Sequence, residues 1–526
     1  MSCVNMEQKE RHAVCGNGIV LKMEDYMSKT LEEFEQYLDK MKKYEHINTL
    51  LYWDMKTCAP KLGQAGHIDA LTYFSTESFA MSTSDELYGM LEKLKKPEEF
   101  EQLSDKMKFI VTRMQRDMEK DRRIPKDRYE VMVREQAESG NAWEDAKNAS
   151  DFSIFALHLE KMIALTKEMA GYTDPGKEVY DVLLDKYEEG MDSATIDRLF
   201  GELKEALIPL VKKILAAKQP DDTKFHVYFD PDDQRKVQDL LLSYIGFSKD
   251  AGAVGETEHP FTLNFSSKDV RVTNHYYEHD PISAMFSAIH EGGHAIFEQN
   301  VNPEYDNTAA GSCRYMGVHE SQSRFYENIL GRNKNFWIPV YEKVQELMPQ
   351  MKDISLDEFY REINHVRNSL IRTEADEVTY CFHIILRYEM EKAIFRDNVP
   401  VAKLPELWNQ KMKEYLDITP ANDAEGILQD MHWSDGSFGY FPSYLLGSIY
   451  DGMYLEELEK ELGPVDEILK EGRIKEITKW LNEKIHWYGS TRTPKEVIAN
   501  VCGKEVSAEP LVRYFEKKYA SVYDLK

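Results

Sequence analysis

Apolar residues recur three and four apart over most of this chain, and that period limits what it can fold into. Between about Met23 and Lys218, stretches such as "LEEFEQYLDKMKKYEHINTLLYWDM" and "TIDRLFGELKEALIPLVKKILAAK" gather leucine, isoleucine and aromatic side chains on one side of a helix. Pro60, Pro97, Pro125 and Pro175 punctuate the pattern, because proline has no N–H to continue a helical ladder. Helical text resumes after Pro281, interrupted by the glycine- and aromatic-rich stretch "EGILQDMHWSDGSFGYFPSYLLGS" from Glu425 to Ser448. The expected fold is mainly α.

Between residues 225 and 275 the period changes. "FHVYFD", "FTLNF" and "DVRVT" alternate apolar with polar residues and are rich in β-branched and aromatic types, which predicts two or three short strands in a small antiparallel sheet. No internal repeat or Pro/Ser-rich linker divides the text, so residues 29–526 are expected to form one domain behind an N-terminal extension, residues 1–28.

Composition excludes several classes. Six cysteines, Cys3, Cys15, Cys58, Cys313, Cys381 and Cys502, lie scattered without close pairs, the pattern of reduced thiols and a cytoplasmic location rather than of a disulfide framework or zinc ribbon. No apolar run is long enough for a bilayer, and the N-terminus has no basic segment followed by an apolar one, so neither membrane nor secretion is expected. The net charge of −27 repels phosphate backbones, which argues against nucleic acid. An anionic ligand would have to meet individual cations.

The chemistry concentrates in "FSAIHEGGHAIFEQ". Asp280-Pro281 is a helix N-cap and first-turn pair, and Ile282, Met285, Phe286, Ile289, Ile296 and Phe297 follow at helical spacing. His290 and His294 therefore stack one turn apart and can face one metal ion, while Glu291, a quarter turn round, can face a water beside it as general base. Gly292 and Gly293 each cost about 0.8–1 kcal/mol against alanine in a helix interior. Close approach of another backbone segment or a substrate is the expected reason for them.

A catalytic zinc needs a third protein ligand and an open position. "YMGVHESQSRFYENILGR" offers His319 and Glu320, which as helical neighbours cannot both face one ion. Glu320 is taken as the ligand, with His319, Gln322 or Ser323 orienting it through hydrogen bonds.

Six segments then line up: "HPF" at 259–261, "DVRVT" at 269–273, "HEGGH" at 290–294, "HESQ" at 319–322, "IRTEAD" at 371–376 and "GILQDMHW" at 426–433. Together they resemble the carboxypeptidase Taq family of metallocarboxypeptidases, and "LLYWDMKTCAP" at 50–60 resembles its early Trp-Asp segment. The resemblance implies a two-lobed helical saddle or clam with a deep groove, similar to neurolysin and angiotensin-converting enzyme, and a homodimer. It also implies His290, His294 and Glu320 as metal ligands and Glu291 as the base.

The function expected from this is a metallocarboxypeptidase that releases single residues from peptides with a free C-terminus, with broad specificity. Zn²⁺ is the first choice of ion, and Co²⁺ and Mn²⁺ also suit two histidines and a glutamate. His432, Tyr440 and Tyr444 are candidates to stabilise the oxyanion, with His432 and Tyr444 ranked as catalytic and Tyr440 also as a substrate contact. Arg372 is the first candidate for the terminal carboxylate, set against an ion pair with its neighbours Glu374, Asp376 and Glu377. Gln429 and Arg271 complete the substrate-binding set. Arg271 should share a strand face with Asp269 and Thr273, and that strand could instead offer its backbone to an extended peptide. The competing readings are an oligopeptidase or dipeptidyl carboxypeptidase with the same ion site, and a non-catalytic helical binding protein.

Overall fold

The computed structural model describes residues 28–311 and 314–525, so the expected extension lies outside the described residues except for Ser28. Ser28, Ser84 and Ser104 each accept a backbone N–H three residues on and so start three helices: α1 (Lys29–Thr57), α3 (Asp85–Leu94) and α4 (Asp105–Asp121). Helix α2 (Gln64–Ser82) lies between the first two in sequence and packs on α1. Phe34, Leu87, Leu91, Leu94, Ile110 and Val111 form a small core of their own, apart from the main one.

The remaining helices build the main core. They include α5 (Lys126–Ala149), α6 (Ser153–Thr173), α7 (Val179–Tyr187), α8 (Ser193–Ala216) and α9 (Pro231–Ile245). After the sheet come α10 (Pro281–Gln299), α11 (Met316–Arg324), α12 (Thr379–Phe395), α13 (Phe441–Leu462) and α14 (Glu509–Val522). Helix α11 runs on into a π-helical segment, Phe325–Gly331.

The sheet departs from expectation in two ways. It has three strands, β1 (Gly252–Glu256), β2 (Thr262–Ser266) and β3 (Asp269–Asn274), in the order β1-β3-β2. The hairpin β2–β3 is antiparallel, but β1 pairs with β3 in parallel, Gly252 opposite Val270, so the sheet is mixed rather than antiparallel. Two chain reversals leave β1 and β3 running the same way, and β3 lies between the others. The second correction concerns "FHVYFD", which is not a strand. Phe225 closes a 3-10 turn, Phe229 is buried, Val227 and Tyr228 are exposed, and Asp230 caps α9. β1, in "GAVGE", escaped notice because glycine weakens a strand signal. It is required here: a Cβ on Gly252 would lie 2.4 Å from the Val270 carbonyl oxygen.

Candidate active site

Helix α10 lies against β2, β3, α9 and α11. Its start is fixed as the sequence predicts, with the Asp280 side chain accepting Ser283 N–H at 3.1 Å and Pro281 in the first turn. The two glycines are explained by close packing. A Cβ on Gly293 would lie 2.7 Å from the Gln322 carbonyl oxygen and 2.8 Å from Ser323 Cα, so α11 meets α10 backbone to backbone. A Cβ on Gly292 would meet the Ile245 Cδ1 end at 2.5 Å.

That contact brings the three candidate ligands together. The donor atoms of His290, His294 and Glu320 all lie within 4.8 Å of one another. Glu320 Oε2 is 3.5 Å from His294 Nε2 and 3.9 Å from His290 Nε2, and Arg324 Nε donates to Glu320 Oε1 at 2.7 Å. Two further clusters among the described residues have similar spacing, Glu135/Glu138/His158 and Asp222/Glu362/His365. In the first, Lys161 and His158 take both oxygens of Glu135. In the second, Arg367 Nη2 lies within hydrogen-bond distance of all three residues. Only the trio of His290, His294 and Glu320 leaves a carboxylate oxygen facing two imidazoles without a cation of the protein between them.

The surroundings tune these groups. His290 Nδ1 is 2.8 Å from Glu327 Oε2, and Arg332 donates to the other oxygen of Glu327 at 3.3 Å. Burial alone would lower the His290 pKa, but the Glu327 and Glu320 carboxylates outweigh it and raise it to about 9, whereas burial and the His319 charge lower His294 to about 3. Glu291 is buried, and burial raises its pKa although His290 and a hydrogen bond from Thr262 oppose this. That bond runs from Thr262 Oγ1 to Glu291 Oε2 at 2.6 Å.

His319 turns away from the trio's centre. Its ring packs on His294 with centroids 4.5 Å apart, and its Nε2 lies 2.9 Å from Glu298 Oε1. Ser323 Oγ donates to the Glu320 carbonyl at 2.8 Å. Gln322 is spent elsewhere, on Ser321 and His486.

The second half of the site comes from the loop before α13 and from α13 itself. His432 stacks on Phe441, centroids 4.4 Å apart, and its Nε2 lies 3.3 Å from the Tyr444 hydroxyl. Burial lowers His432 to about 4, so it is neutral at neutral pH. Tyr440 sits edge-on between Tyr187 and Tyr444, with centroids 5.0 and 5.1 Å away. Burial, with the Glu320 charge, raises Tyr440 to about 12, and burial raises Tyr444 well above the usual range. Both phenols stay protonated and can donate.

Arg372 is paired, but not with its sequence neighbours. Its Nε and Nη2 donate to Asp430 Oδ1 at 3.0 and 2.8 Å, its Nη1 donates to the Tyr380 hydroxyl at 3.1 Å, and its guanidinium lies over the Tyr444 ring. Arg387 donates to Asp430 Oδ2 at 2.7 Å. Asp376 instead accepts the backbone N–H groups of Val378 and Thr379, and Glu377 is held by Tyr519 and Lys518. Gln429 spends both its donors on the carbonyls of Leu370 and Glu425, and its oxygen accepts from the Arg372 backbone and Arg387. It braces Arg372 and has no donor left for a substrate. Arg271 is held by Asp269 on its own strand face, as the alternation predicts, and packs over Phe265 and Trp53.

Sequence reasoning missed Glu327, Arg324, Thr262, Glu298 and Tyr380. Glu327 had a signal, because seven residues after Glu320 is two turns along the same helical face. Arg324 had one too, standing four residues after Glu320 on the same helix, whereas Thr262, Glu298 and Tyr380 are joined to the site by tertiary contacts.

The fold and this centre define a helical metallopeptidase of the H-E-x-x-H type. The family model of the carboxypeptidase Taq (M32) metallopeptidases matches residues 33–519, and the chain belongs to that family. It is 43% identical to carboxypeptidase 1 of Bacillus subtilis over 94% of this chain and 98% of that protein. It is 36% identical to thermostable carboxypeptidase 1 of Thermus thermophilus over 91% and 96%. Among solved structures, the M32 carboxypeptidase of Deinococcus radiodurans superposes with a TM-score of 0.91 at 28% identity, covering 94% of this chain and all of that one. Metallocarboxypeptidase 1 of Trypanosoma cruzi gives 0.88 at 30% identity over 93% and 99%. The chain is thus a metallocarboxypeptidase, and no helix among the described residues is long and apolar enough to cross a membrane.

Proposed function

We propose that this protein removes single amino acids from the free C-termini of peptides, with broad side-chain tolerance, using one divalent ion held by His290, His294 and Glu320. The observation that carries this reading is the Glu320 oxygen facing both imidazoles beside a buried Glu291. Zn²⁺ is the ion we favour, since two nitrogens and one carboxylate suit it, with Co²⁺ and Mn²⁺ as alternatives. When bound, the ion supplies a Lewis acid that polarises the scissile carbonyl and brings the pKa of water toward about 7.

The protein's own groups do the rest. Glu291, oriented by Thr262, takes the water's proton and returns it to the departing amine. Tyr440, Tyr444 and His432 offer donors to the developing oxyanion. Arg372 spends three of a guanidinium's five N–H donors on Asp430 and Tyr380, so two are left for a terminal carboxylate. Strand β3, the one expected to offer its backbone, is paired on both sides by β1 and β2, so the edge beside α10 is β2, where backbone pairing with an extended peptide would be tolerant of sequence.

The test compares a free peptide with its C-terminally amidated and N-acetylated forms by mass spectrometry on the ion-loaded protein. Stepwise loss of terminal residues, stopped by amidation alone, is expected. Two-residue or internal cuts would assign an oligopeptidase instead, and no product with any of the three ions would leave a binding protein. A cytoplasmic location is supported by free Cys58, Cys381 and Cys502, and homodimerisation by family resemblance; fractionation and sedimentation test them.

A further inference from the structure

Glu320 presents its two oxygens to different partners, and the partner on the far side is fixed. Arg324 stands one turn on along α11, donates from Nε to Glu320 Oε1 at 2.7 Å and leaves Oε2 toward the two imidazoles. Arg324 is buried, its guanidinium lies 4.0 Å from the Tyr380 ring centroid, and the Tyr380 hydroxyl accepts from Arg372. On the opposite side α13 closes in at Gly447, whose added Cβ would come within 3.0 Å of Ser321 N and 3.2 Å of the Glu320 carbonyl carbon. The α11 backbone at Glu320 is thus pressed directly against α13, and Arg324 is held by Glu320 and the Tyr380 ring.

A carboxylate with both oxygens free can close on one cation with both of them. On an ion already held by two histidines, the second oxygen would occupy the position that water and substrate need. We propose that Arg324, seated on Tyr380, is a positioning residue that restricts Glu320 to one-oxygen ligation and so keeps the fourth position open. This rests on the trio being the ion site. It also links two parts of the site through one ring: Tyr380 supports Arg324 with its face and receives Arg372 at its hydroxyl, so the ion's carboxylate and the expected anchor of the substrate terminus are set against a common reference.

The test is spectroscopic. Co²⁺-loaded wild type, Arg324→Met, Arg324→Lys and Tyr380→Leu are compared by visible absorption, and the Zn²⁺ forms by X-ray absorption. Arg324→Met is expected to gain one oxygen ligand, to lose cobalt absorbance as coordination rises above four, and to lose about 10–100-fold in kcat while retaining its ion. Arg324→Lys, which keeps a donor for Oε1, should retain the wild-type spectrum. Tyr380→Leu, which leaves both charges in place, should shift the spectrum the same way by a smaller amount and keeps the test open should Arg324→Met not fold. Wild-type spectra and ligand number in both Arg324→Met and Tyr380→Leu, or in Tyr380→Leu alone if only it folds, would overturn the proposal. A wild-type protein that takes up no ion at the trio would overturn the hydrolase reading as well, and that result needs no variant.

Discussion

Nδ1 of His290 lies 2.8 Å from Oε2 of Glu327, so the imidazole that faces Glu320 with one nitrogen is anchored by a second carboxylate at the other. Such an outer carboxylate fixes the ring's tautomer and raises its basicity as a ligand. Glu327→Ala is expected to weaken Zn²⁺ binding about 10–100-fold, as read by competition with a chelator. Unchanged affinity would show that the α10–α11 packing alone orients the ring.

Glu291 is assigned to proton transfer and not to holding the ion. Glu291→Gln keeps the shape and a partner for Thr262, so ion content by mass spectrometry should stay at the wild-type level. The rate should fall by about 10²–10⁴, the usual contribution of a general base. Loss of the ion in this variant would move Glu291 into the ligand set.

The two adjacent glycines should respond unequally to alanine. At Gly293 the obstacle is the α11 backbone, so Gly293→Ala forces the helices apart and should cost about 1–3 kcal/mol of stability and weaken ion binding. At Gly292 the obstacles are the Ile245 and Leu242 side-chain ends, which can turn, so the penalty should be smaller. Equal unfolding midpoints for the two variants would contradict this.

Glu391 holds the aromatic loop by accepting from Trp433 Nε1 at 3.0 Å, Gly439 N at 3.0 Å and the Tyr180 hydroxyl at 2.8 Å. Burial raises its pKa to about 7 against those bonds. The folded state then binds the proton more tightly than the unfolded chain, so this group favours folding below the ordinary carboxyl range and loses that contribution as pH rises to about 7. The change is on the order of 3 kcal/mol. Denaturant titrations from pH 4.5 to 8 should show a shallower decline for Glu391→Gln than for wild type, and identical slopes would remove Glu391 as the source.

The parts of the site legible in the sequence are those set by local period. Asp280, Pro281, His290, Glu291 and His294 follow from helix geometry, and Glu320 from the need for a third donor. Arg372, Gln429 and Asp430 were recognisable as motif members, but their mutual bonds were not, because 58 residues separate Arg372 from Asp430 and side-chain pairing at that range leaves no periodic trace. β1 was hidden for a related reason: its glycines answer to Phe247, Val270 and Trp53, contacts made in three dimensions. "FHVYFD" misled in the opposite direction, since alternation without a neighbouring strand does not make one.

Asp430 carries two guanidiniums, those of Arg372 and Arg387, so this buried corner has one positive charge in excess inside a molecule of net charge −27. The two fields obey different rules. The long-range repulsion of an anionic peptide travels through water and fades beyond a Debye length of about 8 Å at physiological ionic strength, whereas the enclosed surplus is scarcely screened. Raising the salt should therefore speed the encounter with acidic peptides while leaving their final grip intact, the reverse of the usual weakening of charged ligands by added electrolyte.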